Sequence, residues 1–433
     1  MKEKILEYID EYWTNKAQPK PFIPGKTVIP VSGAVISSED IVTVADALLD
    51  GWFTEWVYAS KFSRKLADYV GVKHAILCNS GSSASLLATL ACMEKFSRNK
   101  KQYKVVTCAT GFPTTVAPIV QFGYVPLFVD VDIHTLNIDE DATLECLDQP
   151  DVAGIVVAHT LGLPIQFVNN IRSFCDAEGK FFVEDVADSL GGSHYVDGKL
   201  GSYGHTSFTS FFPAHQITSG EGGCVFTDDD ELSEIARCYC EWGRDCSCKP
   251  GQDNTCGKRF DHTWTNLPTR YDHKYTYTRL GYNLKMTELQ AALGYSQLHK
   301  VDDFAQQRRE NYQYLYDRLH YLKSEGVMHF VEPSKYASPF GFPITYLEHS
   351  LNMQDLVEFL ESRNIRTRPV FAGNLTRQPA FDNIYYENHT KLVNSDYVMN
   401  NTFWVGCAPC LTKEMLEYIC ESIETYVKDK NSD

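Results

Sequence analysis

The stretch "FTSFFPAHQITSGEGGCVFT", residues 208–227, sets His215 among serines, threonines and glycines. Imidazole takes up and releases a proton near neutral pH, and hydroxyl- and glycine-rich neighbours suit a bound phosphate. Together they suggest a loop around a bound phosphate with a titratable group at its centre. A second candidate is "CNSGSSASLLATL", where an apolar run gives way to a helical pattern at Gly81 and Ser82. The free N–H groups of a first helical turn, joined by serine hydroxyls, make a phosphate cradle. The plainer alternative is helix capping by Ser80, Ser82 or Ser83.

Asp185 closes the apolar run "KFFVED". A carboxylate in that position can keep a pyridine nitrogen protonated, so that the ring draws electrons, or it can simply cap the next turn. Phe112 in "TGFPTTVAP" offers either a stacking face or core packing. Asn283 in "RLGYNLKMTELQAALG" precedes a periodic helix, which it could cap. A different chemistry is concentrated in "CYCEWGRDCSCKPGQDNTC", which holds Cys238, Cys240, Cys246, Cys248 and Cys256 of the chain's 14 cysteines. Where disulfides are rare, close thiol pairs suggest ligation of a soft metal. Cys-x-Cys spacing is nevertheless uncommon for structural zinc.

Buried strands must position these residues. "HAILCN", "YKVVTCAT", "YVPLFVDV", "AGIVVAH" and "KFFVED" are β-branched or aromatic runs ending in polar or glycine-rich turns. Helical patterns such as "SSASLLATLACMEKF" and "FVNNIRSFCDAEG" lie between them. That alternation predicts an α/β fold with a mainly parallel sheet covered on both faces. Such sheets bind ligands beyond the carboxyl ends of their strands. Past residue 300 the pattern changes to a long amphipathic helix, "VDDFAQQRRENYQYLYDRLHYL", then a strand and two further helices. We expect an N-terminal helical arm over 1–30, a large domain over 31–300 and a smaller α+β domain over 301–433.

The chain has 433 residues, 43% hydrophobic and 22% charged, with a formal charge of −16. This is a globular composition, and the acidity argues against a nucleic-acid or anionic membrane surface. No apolar run reaches the roughly 18–20 residues of a spanning helix. The amphipathic start "MKEKILEYIDEYWTNK" is unlike a signal peptide, so a cytoplasmic location is expected.

Taken in order, "NSGSSA", "GFPTTVAP", "AHTLGLP", "SFFPAH", "GEGG", "YDHKYTYTRLGYNLK" and "FAGNLTRQPAF" resemble the DegT/DnrJ/EryC/StrS sugar-nucleotide aminotransferases, a family of fold-type I vitamin B6 enzymes. The resemblance runs from about residue 30 to the C-terminus and is strongest to the family's sugar 3-dehydratases. It implies a pyridoxamine or pyridoxal phosphate cofactor, its phosphate on Gly81, Ser82 and Ser210. It further implies Phe112 on the ring, Asp185 at the ring nitrogen, and Asn283 reaching the cofactor of a second subunit in a homodimer. His215 falls where aminotransferases carry their lysine. An imidazole cannot form lysine's imine, yet it can move a proton. Elimination of a sugar's 3-hydroxyl is therefore expected in place of amino transfer. The implied substrate is CDP-4-keto-6-deoxyglucose, on the way to a 3,6-dideoxysugar of a surface polysaccharide. Arg279, Lys285, Arg366, Arg368 and Arg377 are candidates for its diphosphate.

The resemblance also matches Cys246, Cys248 and Cys256 to three ligands of a [2Fe–2S] centre that passes single electrons from a flavin/iron–sulfur reductase. Ala187 stands where the fourth cysteine is expected. A cluster normally has four protein ligands, so Cys238, Cys240 and Cys224 are the fallback ligands. A rescued cluster, a labile one and none all stay open. Three rival readings remain at this level: a redox-independent dehydratase that regenerates its cofactor from glutamate, a non-catalytic metal-stabilised scaffold and, last, a plain aminotransferase, which would need a different lysine to hold the cofactor.

Overall fold

The computed structural model describes every residue except 19–20, 97–102, 195–197, 247, 249–250, 348–352 and 431–433. Nine strands precede residue 230: β1 (His74–Cys78), β2 (Lys104–Cys108), β3 (Val125–Val129), β4 (Val152–Ala158), β5 (Phe181–Asp185), β6 (Ser193–His194), β7 (Gly198–Lys199), β8 (Thr206–Ser210) and β9 (Gly223–Thr227). Five follow: β10 (Met328–His329), β11 (Gly341–Tyr346), β12 (Thr367–Pro369), β13 (Glu387–Asn388) and β14 (Thr402–Gly406). The main sheet runs β1-β9-β8-β5-β4-β2-β3-β13. Pairing is parallel from β8 through to β13, and only β9 lies antiparallel to its neighbours β1 and β8. A second sheet, β10-β11-β14-β12, is antiparallel.

All five predicted buried strands form, as β1 to β5. The long helix also forms, as Val301–Leu319, with a short one at Tyr321–Ser324. The sequence does not announce β8 and β9 as strands, because serine, threonine and glycine mask their apolar residues. They flank the loop that carries His215. Beyond residue 301 the chain also returns to the main sheet, where β13 pairs with the edge of β3.

Alternation along the strands divides the core. Val105, Val156, Phe181, Val183 and Phe208 face one side, packed under the helices Gly81–Phe96 and Pro113–Gln121. Val106, Ile155, Val157 and Phe182 face the other. The alternation decides the fate of two adjacent acids at the end of β5. Glu184 follows Phe182, whereas Asp185 follows Val183 onto the side of the Pro113–Gln121 helix.

Candidate active site

Asp185 emerges at the carboxyl end of β5, only 6% exposed. Its Oδ2 accepts from the Thr115 hydroxyl at 2.7 Å and its Oδ1 from the Ala187 N–H at 3.0 Å. Burial raises its carboxyl to about 6, against the lowering effect of those two hydrogen bonds. No positive side chain bonds it among the described residues, so a protonated ring nitrogen would supply a missing charge partner. Glu184, next in sequence, lies on the other face as a satisfied structural group. It accepts from His159 Nε2 at 3.0 Å, from the N–H groups of Gly201, Tyr203 and Gly204, and from the Ser207 hydroxyl. Burial opposes its ionisation, but His159 and these donors win and its pKa is lowered.

Ser210 ends β8 and sits against Gly81, the first residue of the Gly81–Phe96 helix. A Cβ on Gly81 would lie 2.4 Å from Ser210 Cβ and 2.7 Å from its Oγ. The missing side chain is what lets strand end and helix start meet as one concave surface. Capping here belongs to Ser80, whose Oγ accepts from the Ser83 N–H at 3.1 Å. Ser82 instead points outward and shares a 3.2 Å contact with the Thr114 hydroxyl. Helix N-terminus, Ser82 and Ser210 therefore form a cradle whose shape and donors suit a phosphate. We expect Gly81→Ala to weaken pyridoxamine phosphate binding about tenfold or more, equal to about 1.4 kcal/mol. Absorbance titration would show the weakening, with the circular dichroism of the fold unchanged.

Phe112 precedes the Pro113–Gln121 helix and remains 52% exposed, touching Phe371 edge-on. It is not core, and its open face can cover an aromatic ring.

His215 lies in the loop between β8 and β9. Its carbonyl accepts from buried Arg308 at 3.4 Å, and its ring packs edge-on against Phe340 and Phe212. The neighbouring Gln216 amide donates to the Ser338 carbonyl at 3.0 Å and to that of Asp188, tying this loop to the turn after β5. His215 Nε2 lies 3.9 Å from Asp188 Oδ1. Burial first, and then the charge of Arg308, push the imidazole down to about 4. Burial and nearby Asp185 push the Asp188 carboxyl up to about 8. Both shifts disfavour the charged forms of these two groups. Burial therefore favours the neutral imidazole. Among the described residues, His215 Nδ1 and Asp188 Oδ2 are buried with no hydrogen-bond partner. Two orphaned polar atoms beside Asp185 and the Gly81 cradle fit a site shaped for a polar ring.

Asp188, Arg308 and Thr115 escape sequence reasoning. Only Asp188 carries a signal, three residues beyond Asp185 in the same turn. Asn283 is not a helix cap, since Thr287 caps Glu288–Leu298. It is exposed, accepts from Lys285 Nζ at 3.0 Å and bridges to Glu241. Its recorded partners do not include Asp185, His215 or Ser210. Of the five diphosphate candidates, Arg279 is bound to Glu94, Arg366 to Glu361 and Arg377 to Asp396, while Lys285 lies over the Trp242 ring. Among the described residues Arg368, at β12, has no carboxylate within an ion-pair distance; it donates to the Thr367 carbonyl.

The three cysteines form a separate constellation. The Cys248 N–H donates to Cys246 Sγ at 3.4 Å, the Thr255 hydroxyl to Cys248 Sγ at 3.1 Å, and the Lys258 N–H to Cys256 Sγ at 3.4 Å. The Thr255 bond leads in lowering the Cys248 thiol to about 7, while burial raises that of Cys246. Donors aimed at sulfur stabilise thiolates, the form that binds metal. The fallback ligands fare less well. Cys224 and Cys240 are buried near Cys78, with Cys224 raised well above its ordinary pKa and Cys240 to about 12. Cys238 faces the Thr278 hydroxyl at 3.6 Å. Ala187 belongs to the Asp185 turn. A cleft of about 980 Å³ opens beside Cys238, Cys246 and Cys248, lined by Arg64, Arg237 and Arg244, and not over His215.

The architecture defines the class: this is the fold of vitamin B6 enzymes of fold type I. An Escherichia coli GDP-4-keto-6-deoxy-D-mannose-3-dehydratase solved with bound hydrated PLP matches with a TM-score of 0.81 at 26% identity, over 91% of this chain and 98% of that one. The chain belongs to the DegT/DnrJ/EryC1/StrS aminotransferase family, matched over residues 34–424. It is 43% identical to the lipopolysaccharide biosynthesis protein RfbH of Salmonella typhimurium, over 98% of both chains. It is 42% identical to the dTDP-4-dehydro-2,6-dideoxy-D-glucose 3-dehydratase of Saccharopolyspora spinosa, over 98% of this chain and 92% of that one. No helix among the described residues is long and apolar enough to cross a membrane.

Proposed function

We propose that this chain removes the C3 hydroxyl of a nucleotide-linked 4-keto-6-deoxyhexose with pyridoxamine phosphate as cofactor, in the synthesis of a deoxysugar for surface polysaccharide. The observation that carries this is the largely buried His215 imidazole, standing with Asp185 and the Gly81 cradle at the strand ends. When bound, the cofactor supplies an amine for the sugar ketone and a ring that accepts electrons. Gly81, Ser82 and Ser210 hold its phosphate. Asp185 keeps its ring nitrogen protonated, and Phe112 covers one ring face. With the cofactor in place, His215 would move a proton at its C4′ carbon. Arg368 is left to meet the substrate diphosphate.

The named relatives support dehydration across dTDP- and GDP-linked sugars. A CDP-linked sugar remains our assignment for this chain. Asn283, exposed and without a role in its own subunit's site, supports a homodimer in which it completes the partner's site. Cys246, Cys248 and Cys256, with donors on their sulfurs, support a metal centre serving electron transfer from a flavin/iron–sulfur reductase.

The test incubates the enzyme and pyridoxamine phosphate with CDP-, dTDP- and GDP-4-keto-6-deoxyhexoses, supplying either glutamate or a one-electron reductase. Mass spectrometry should show loss of the 3-oxygen, greatest with the CDP sugar and with the reductase. Turnover on glutamate alone would assign the redox-independent reaction, and an amino-sugar product would sink the proposal.

A further inference from the structure

Arg308 stands in the first half of the helix Val301–Leu319 and is only 1% exposed. Its hydrogen bonds among the described residues go to main chain, not to a carboxylate. Nη1 donates to the Pro339 and Phe340 carbonyls, each at 3.3 Å, and Nη2 to the His215 carbonyl at 3.4 Å. One planar fork thus joins the segment before β11 to the histidine of the site. Burial works against its charge. A buried charge kept for packing alone is commonly replaced by an apolar side chain without loss of stability. Packing therefore does not account for an arginine here.

A second tie runs beside the first. The Gln216 amide, one residue on from His215, donates to the Ser338 carbonyl at 3.0 Å and to that of Asp188. Phe340 completes the contact: its ring meets the His215 ring edge-on at 5.5 Å and lies 5.9 Å from the Arg308 guanidinium. Residues 338–340 thus form a wall against which the histidine rests.

The wall is itself fixed. The Phe340 N–H donates to the Leu161 carbonyl at 2.8 Å, and Arg309 donates to the Ala337 carbonyl at 3.0 Å. Ser338 passes so close to Gly162 that a Cβ there would lie 2.1 Å from the Ser338 carbonyl oxygen. Asn311, about one turn along the helix from Arg308, donates to the Cys407 and Ala408 carbonyls at 3.2 and 3.0 Å and ties the helix to the end of β14.

From this we infer that Arg308 is a positioning residue for His215, holding the histidine's own carbonyl against the 338–340 wall and so setting where the imidazole stands. The inference rests on reading His215 as the proton-transfer group, and Arg308 acts through that histidine, not on the reacting atoms. The loop between β8 and β9 carries Gly220 and Gly222, whose backbones are permissive, so its path needs such a clamp. A reacting group misplaced by about 1 Å loses about 100-fold in rate. Helix and wall both lie beyond residue 300, so the C-terminal part of the chain places a group that acts at the main sheet.

A double-mutant cycle on the full-length protein loaded with pyridoxamine phosphate tests this, read by product mass on the nucleotide-linked 4-keto-6-deoxyhexose that wild type turns over. Arg308→Met should lower kcat by about 100-fold, with KM and pyridoxamine phosphate affinity held within about twofold. In the His215→Asn background the same change should lower the residual rate by less than about twofold, because no imidazole is left to place. Arg309→Met, which frees the same wall at Ala337 without touching His215, should keep kcat within about twofold of wild type. Wild-type kcat in Arg308→Met, an equal loss in both backgrounds, or a loss confined to cofactor affinity would each overturn the assignment. Should circular dichroism show Arg308→Met unfolded, Arg308→Lys carries the same cycle. It keeps the charge without the fork, and should lose about tenfold in kcat beside His215 and nothing beside the asparagine. Full activity in His215→Asn alone would remove the dehydratase role of the histidine and this inference with it. An impaired His215→Asn beside an unimpaired Arg308→Met would remove only the clamp.

Discussion

His215→Asn is expected to lower sugar elimination by roughly 10²–10⁴-fold, the usual worth of a positioned acid–base group, while pyridoxamine phosphate still binds. Asparagine keeps a polar side chain of similar reach in the pocket beside Phe212 and Phe340 but cannot accept and return a proton. Because the imidazole is held down to about 4, the wild-type acid limb of kcat/KM should lie well below the ordinary imidazole value. The asparagine variant should lose that limb. Binding is checked by absorbance and turnover by product mass. Full activity in the variant would leave the histidine without the role assigned to it.

The second large effect separates two neighbours. Glu184→Ala should destabilise the fold by about 3–5 kcal/mol, as breaking a buried charged network does, because it strands His159 and three backbone N–H groups. Its lowered pKa means the Glu184 contribution is present above the unfolded carboxylate pKa and disappears as pH falls through the folded value. Asp185→Asn should act in the opposite direction. The folded pKa of Asp185 is raised to about 6, so its ionisation lowers stability as pH rises through that value, and asparagine removes the penalty. Denaturant unfolding at pH 5 and pH 8 would show Glu184→Ala weakened at both and Asp185→Asn gaining on wild type at the higher pH. The Asp185 variant should nevertheless lose elimination activity, an exchange of stability for function.

The strands β1 to β5 and the candidate site residues Gly81, Ser82, Asp185 and His215 were legible in the amino-acid order, whereas β8 and β9 were not. Apolar runs specify buried strands, and functional residues gather at strand ends in an open parallel sheet. Strand alternation even predicts that Glu184 and Asp185 part company, although only the packing assigns one to His159 and the other to the site. The approach of Cys256 Sγ to His273 Nε2 was not legible. The residues lie 17 positions apart in a segment without regular periodicity, and their approach depends on the ion pair of Arg259 with Asp272.

The order of residues thus determined five strands of the sheet and the candidate residues for phosphate binding and proton transfer, because these follow from local pattern and side-chain chemistry. The tertiary structure alone decided the burial of His215 and Asp188, the ion-pair partners of the diphosphate candidates and the approach of His273 to Cys256. Those depend on desolvation and on charges brought together from distant parts of the chain, quantities that no local window of sequence contains.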